Sequence, residues 1–228
     1  MKRKARHDLI LLRNKILSEA HRRIEAITDT LYRVNCRRKD TTSGKIYALM
    51  ALIRLRHSIN AASLLIKRGH QIETLPIFRL IFEQVAWAYS IHTLNDGSLF
   101  DILPTKCINK FKEIIEGSDY MYGKLSEMAH LKPNFVFEYL KIGEPDPTID
   151  VIIPDKAKSV SFAVNLLFSV ALIGMVGEFI DKKYARKFRY LHLTNSEIGI
   201  NREIARRIVN CEAKIDKLNA VAFSKSKH

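Results

Sequence analysis

Leu9, Leu12, Ile16, Ala20, Ile24, Ile27, Leu31 and Val34 recur at steps of three and four residues. That spacing lays an apolar stripe along one long helix, with Arg13, Lys15, Arg22, Arg23 and Arg33 off the stripe. Arg37–Thr42 interrupts the pattern, and Ser43 offers a cap for a second helix carrying Ile46, Leu49, Met50, Ile53, Ala61, Leu64 and Leu65. Gly69 stops it, and Lys67 and Arg68 oppose the dipole of its last turn. Thr74 with Pro76 starts a third helix that runs to Asn95-Asp96-Gly97. A shorter helix is expected between Pro104 and Gly117, and another from Ser118 or Asp119 to a stop before Pro133. A long apolar helix follows from about Lys156, passing Glu178 and reaching toward Tyr190. Thr194-Asn195-Ser196-Glu197 has capping-box form, and Asn201 is a second candidate cap for a last helix carrying Ile204, Ile208, Cys211, Ile215 and Leu218.

Residues 133–155 break this rhythm. Pro133, Pro145, Pro147 and Pro154 interrupt two β-leaning runs, Phe135–Tyr139 and Ile149–Ile153, and five carboxylates lie among them. A projecting loop or small hairpin is expected there. The pattern predicts an all-α bundle of six or seven helices, one helical domain over 1–228, with that single insertion.

Composition agrees. Only 9 Gly and 6 Pro occur in 228 residues, too few for turn-rich β folds, and the 47% hydrophobic share is that of a globular chain. Three widely spaced cysteines, Cys36, Cys107 and Cys211, with no CxxC, argue against a disulfide scaffold and a thiolate zinc site. The basic start, MKRKARHDLILLRNK, holds an apolar run of only four residues, so no signal peptide is read and a cytoplasmic protein is expected.

Charge changes the picture more. The chain carries +14 formally, and the excess sits at its ends. Residues 1–39 hold 12 Lys/Arg against 4 Asp/Glu, residues 182–228 repeat those numbers, and the middle is near neutral. If the ends lie side by side they make one basic face, which attracts phosphate. The plain alternative is a set of solvated helix faces.

From Ser159 to Gly177 there are 19 residues without a charge, just enough to cross a bilayer. Charged residues press on both edges, and Ser161, Asn165 and Ser169 step by four down one side. That favours a central core helix whose polar side meets polar neighbours, over a single-span membrane protein. A membrane partner is not expected.

Two helices bring polar groups into apolar surroundings. Arg79 and Glu83 are i,i+4, and Tyr122, Ser126 and His130 step by four on another helix. Buried polar groups need partners, so the two faces should meet, with Arg79 paired to Glu83 and Ser126 and His130 completing the network. One reading is a network that fixes helix register. The other is a catalytic site in which His130 moves a proton and Arg79 steadies an anion. Glu127-Met128-Ala129-His130 is also the Glu-x-x-His of di-iron bundles, but no second copy exists, and no metal or other cofactor is expected. Residues 182–192, KKYARKFRYLH, interleave Lys182, Lys183, Arg186, Lys187 and Arg189 with Tyr184, Phe188 and Tyr190. Cations for phosphates beside rings for unpaired bases suit nucleic acid, RNA above all, with Arg22 and Arg23 of the first helix as further contacts. The same aromatics also fit a continued core stripe.

The pieces RLIFEQVAWAY (79–89) and YGKLSEMAH (122–130) resemble the helical signatures of a bacterial all-helical family found among mobile elements and abortive-infection, phage-defence loci, HEPN-like in the loose sense. The resemblance implies a helical bundle and a defence or toxin role, and gives no established reaction. Self-association into a homo-oligomer is expected from the long amphipathic helices, and a partner protein from the same locus is a further expectation. HEPN ribonucleases carry R-x(4–6)-H, and Arg186-KFRYL-His192 has that form, although Lys187 stands where a small polar residue is usual. Arg186 and His192 would then be catalytic, with the motif at the end of a helix. Three functions follow as expectations: a nucleic-acid-associated accessory or toxin protein using its basic terminal helices, a ribonuclease with an Arg/His pair, and a membrane effector using 159–177.

Overall fold

The computed structural model describes residues 1–36, 42–95, 99, 101–129, 140–142, 149–151, 155–181, 189–193 and 198–224. It is an all-α bundle. Seven α-helices stand among the described residues: α1 (Lys2–Cys36), α2 (Ser43–Arg68), α3 (Leu75–Ile91), α4 (Ile108–Phe111), α5 (Ser118–Ala129), α6 (Val160–Ile180) and α7 (Arg202–Ala222). Two small antiparallel pairs accompany them. β1 (Leu140–Ile142) meets β2 (Ile149–Val151) with Leu140 opposite Val151, a small hairpin within the expected insertion; its first strand follows the expected run Phe135–Tyr139, which lies outside the described residues. β3 (Leu191–Leu193) meets β4 (Ile198–Ile200) with His192 opposite Gly199.

α6 is the axis. Its buried residues lie on every side, because α1, α2, α3 and α7 all pack against it. An all-round apolar helix needs such a sheath in water. The polar stripe does not meet polar neighbours as expected: Ser161 and Asn165 are exposed, and Ser169 Oγ donates to the Asn165 carbonyl of its own helix. α2 is also long and apolar enough to span a bilayer by length and composition, a second candidate the periodicity did not single out. The buried apolar side chains form one connected cluster from Ala5 to Ala222.

Glycines permit the closest approaches. Gly44 donates its N–H to the Leu94 carbonyl at 2.9 Å, and a Cβ there would stand 2.1 Å from the Ile91 carbonyl oxygen, so α2 starts directly against the end of α3. A Cβ on Gly174 would stand 2.5 Å from the Tyr190 ring, so that ring lies flat on α6.

Three helix boundaries differ from the expected ones. The cap of α2 is Thr42, which accepts from the Lys45 N–H at 3.2 Å, rather than Ser43. α3 ends at Ile91, short of Asn95. α6 ends at Ile180 instead of reaching Tyr190, since Glu178 turns the returning chain. Its carboxylate accepts from the backbone N–H of Arg189, Tyr190 and Leu191 at 2.8–3.1 Å. Asn201 caps α7, accepting from the Glu203 N–H at 2.9 Å. The capping-box tetrad Thr194–Glu197 lies outside the described residues.

Candidate nucleic-acid interface

The two charged ends of the chain lie side by side. α7 runs antiparallel to α1: Arg207, early in α7, bridges to Glu19, and Phe223, just past its end, has the Arg6 guanidinium 5.2 Å from its ring centre. Ile204, Ile208, Cys211, Ile215, Leu218 and Ala222 step by four and three and form the inner face of α7, as its periodicity demanded.

Arg207 and Lys214 are seven residues apart and share the line of α7 that looks toward α1, where Glu203, four residues before Arg207 and eleven before Lys214, also falls. Arg206 and Lys217, eleven apart, form the next line outward, whereas Glu212 and Asp216 occupy the far side. On α1, Lys4, Lys15, Arg22 and Arg33 fall on one exposed line at steps of eleven and seven. Of its four acids, Asp8 falls on the same line, four residues after Lys4 and seven before Lys15, and Asp29 lies seven residues after Arg22. Glu25 and Asp29 face α2 and pair with Arg56 at 2.9 and 4.0 Å. Glu19 lies in the seam, with Arg23 at 2.8 Å on one side and Arg207 on the other. Among the described residues no ion pair holds Lys4, Lys15, Arg22, Arg206, Lys214 or Lys217. The result is an outer surface on which unpaired cations outnumber the acids Asp8 and Glu203, over a neutralised seam.

Two residues expected to contact phosphate differ in fate. Arg22 is exposed on the cationic line. Arg23 is engaged within the fold: besides Glu19, its guanidinium lies over the buried Tyr190 ring at 5.9 Å. Burial alone would lower its pKa, but hydrogen bonds to Glu19 and Tyr190 outweigh it and push the pKa up. Arg13, expected off the apolar stripe, is buried on it. It donates to the Lys156 carbonyl at 3.0 Å, Ser159 Oγ at 3.3 Å and Asn14 Oδ1 at 2.9 Å, and burial pulls its pKa down.

The Arg79 cluster forms where α3 meets α5. Arg79 Nε donates to Glu83 Oε1 at 2.9 Å, the Tyr122 hydroxyl donates to the same oxygen at 2.8 Å, and an Arg79 terminal nitrogen donates to the Tyr122 oxygen at 3.2 Å. The guanidinium also lies 5.5 Å from the Tyr122 ring centre. Tyr122 is thus the bridging group; Ser126 makes no hydrogen bond to the pair among the described residues. His130 lies outside the described residues, as do Lys182, Lys183, Tyr184, Arg186 and Lys187. Within that basic segment Arg189 is exposed. His192 is in strand β3, not in the last turn of a helix, because α6 has already ended at Ile180.

Among the described residues no three His, Cys, Asp or Glu stand together as metal ligands would. Burial raises the pKa of both described thiols, Cys107 and Cys211, which suits packing rather than nucleophilic chemistry. The exposed cations of α7 and Lys4 and Lys15 of α1 were not singled out from the sequence. The eleven-residue steps 4–15, 22–33 and 206–217 were the available signal. No family model matches this chain, and no curated protein or solved structure is significantly similar to it.

Proposed function

We propose that this protein binds nucleic acid, RNA above all, through the shared outer surface of α1 and α7, as a cytoplasmic accessory or toxin component of a bacterial defence or mobile element. One observation carries the reading: terminal segments that are remote in sequence are antiparallel neighbours, and the cations on their outer lines have no internal counter-ion among the described residues. From Lys4 to Arg22 the cationic line runs about 27 Å at 1.5 Å per residue, enough to follow several successive phosphates. Neutralising them releases condensed counterions, so binding is sequence-tolerant and falls steeply with salt. Arg189, exposed beyond the end of α6, adds a further cation. The defence setting rests on the resemblance of residues 79–89 and 122–130. Arg79 already has a carboxylate and a phenol as partners, which favours the register-fixing role of that cluster over catalysis.

The test is equilibrium binding of a labelled 20-nucleotide RNA, single-stranded and duplex, to the wild-type chain and to a Lys15→Gln, Arg22→Gln, Lys214→Gln, Lys217→Gln variant. The expected result is salt-sensitive binding that the variant loses with its melting temperature unchanged, and RNA recovered uncut. Equal affinity of the two proteins would overturn the reading.

A further inference from the structure

The cations of α1 and α7 stand in register with one another. Arg207 at Glu19 and Phe223 at Arg6 fix how the two antiparallel helices lie side by side. That register brings Lys214 near the level of Lys15 and Arg206 near the level of Arg22, and all four are exposed. Between Lys15 and Arg22 the one acid of α1 is Glu19, held in the seam by Arg23 and Arg207. Between Arg206 and Lys214 the one acid of α7 is Glu212, on the far side of that helix. Asp8 and Glu203 fall outside this stretch. Packed helices stand about 8–10 Å apart, axis to axis. The stretch is therefore two short rows of cations, one on each helix, with a neutral seam between them.

We propose that the nucleic acid taken by this surface is double-stranded, with one phosphate strand along each row and a groove of the duplex over the seam; this rests on the reading of the surface as a phosphate binder. Two rows suit two strands. Their separation is of the order of a duplex groove, about 6–12 Å wide, and lysine and arginine stems adjust the reach. A single strand offers one line of phosphates, and its binding draws on rings that stack against the unpaired bases. This surface has few. α7 contains no Phe, Tyr or Trp, and α1 contains only Tyr32, one residue from Arg33 and so about 100° round the helix from the cationic line. Tyr190, one of the rings expected to meet bases, is buried under Arg23. Phe223, past the end of α7, already has Arg6 and Lys158 at 5.2 and 5.7 Å from its ring centre. Cations without stacking partners read the backbone and the shape of a duplex and are indifferent to its base sequence.

Fluorescence anisotropy at low salt tests it with three labelled probes: a 20-base-pair RNA duplex, a DNA duplex of the same length, and a 40-nucleotide RNA single strand without self-complementarity, which matches the duplexes in phosphate number. At least one duplex is expected to bind about 10-fold or more tightly than the single strand, and the tighter of the two identifies the sugar. Lys15→Gln with Arg22→Gln removes the row on α1, and Arg206→Gln with Lys214→Gln removes the row on α7. Either pair of substitutions should cut the preference for the duplex to less than about 3-fold, with the thermal melt unchanged. Tyr184→Ala with Phe188→Ala should leave the preference intact. A single strand bound as tightly as both duplexes, a preference that survives the loss of either row, or one that vanishes with Tyr184 and Phe188 would each overturn the proposal while leaving phosphate binding in place. Failure to bind any of the three probes would overturn both readings together.

Discussion

Arg22 and Arg79 both lie on helices lined with apolar residues, yet their surroundings differ in kind. Around Arg79 a carboxylate, a phenol hydroxyl and an aromatic face meet one guanidinium, and α3 and α5 close over it. Around Arg22 the nearest carboxylates are taken: Glu19 by Arg23 and Arg207, Glu25 and Asp29 by Arg56. The first arrangement holds helices together and has no cation to spare. The second leaves cations facing water, in excess over Asp8, the one acid of α1 that no ion pair holds among the described residues. Residue type alone does not mark a binding surface; the local balance of cations and anions does.

The comparison breaks first, and by the largest margin, on salt dependence. Neutralising Lys15, Arg22, Lys214 and Lys217 should weaken RNA binding on the order of 100-fold at low salt and flatten the slope of log K against log salt by about four. Arg79→Gln should leave that slope unchanged, as a titration of the two variants side by side would reveal.

Next comes the frame beneath the seam. Gly174→Ala places a methyl group against the Tyr190 ring and should cost about 1–3 kcal/mol in chemical denaturation, the usual penalty of overpacking. It should also disturb Arg23, which rests on that ring. Gly123→Ala, with open space at the Cβ, serves as the control and should leave stability within about 1 kcal/mol.

Glu83→Ala should cost about 1–2 kcal/mol by stripping Arg79 and Tyr122 of their shared acceptor, while RNA affinity stays at the wild-type value. A drop in affinity equal to that of the seam variant would erase the distinction between the two regions.

The smallest effect is alkaline. Burial, and then the neighbouring Glu113 carboxylate, push the Tyr89 phenol from 10 up to about 12. A phenol harder to ionise in the folded chain costs the fold stability above the unfolded value: the unfolded chain loses its proton first as pH rises through 10, which favours unfolding, and the folded phenol follows near 12. Relative to a chain without that phenol, stability is fully present below pH 10 and falls away between 10 and about 12. Tyr122 is shifted in the same direction. Melts of Tyr89→Phe across that window should fall less steeply than wild type without becoming flat.

The helical scaffold was legible because each helix shows its core to a periodic stripe, and Gly69, Pro76 and Asn201 mark boundaries by their own chemistry. Hydrophobicity hid Arg13. Its position follows Leu9 by four and precedes Ile16 by three, on the stripe, but an arginine there is tolerated only because the start of α6 offers a carbonyl and a serine hydroxyl remote in sequence. The end of α6 was hidden for a similar reason. Glu178 reads as one more helical residue until its carboxylate is seen to gather three backbone amides beyond the turn. The β3–β4 pair is too short for alternation to announce. The Arg79–Glu83 pair could be read from i,i+4 spacing alone; Tyr122 as the bridge could not, since both it and Ser126 share the face of α5 and only packing selects between them.

Lysine footprinting by mass spectrometry, with and without bound RNA, tests the central claim most directly. Lys4, Lys15, Lys214 and Lys217 should lose reactivity toward an acylating reagent when RNA is bound, while Lys112 and Lys124, exposed and paired with Asp119 and Glu127 on the opposite region, keep theirs. Protection spread evenly over both sets, or confined to Lys112 and Lys124, would contradict the assignment of phosphate binding to the joined terminal helices.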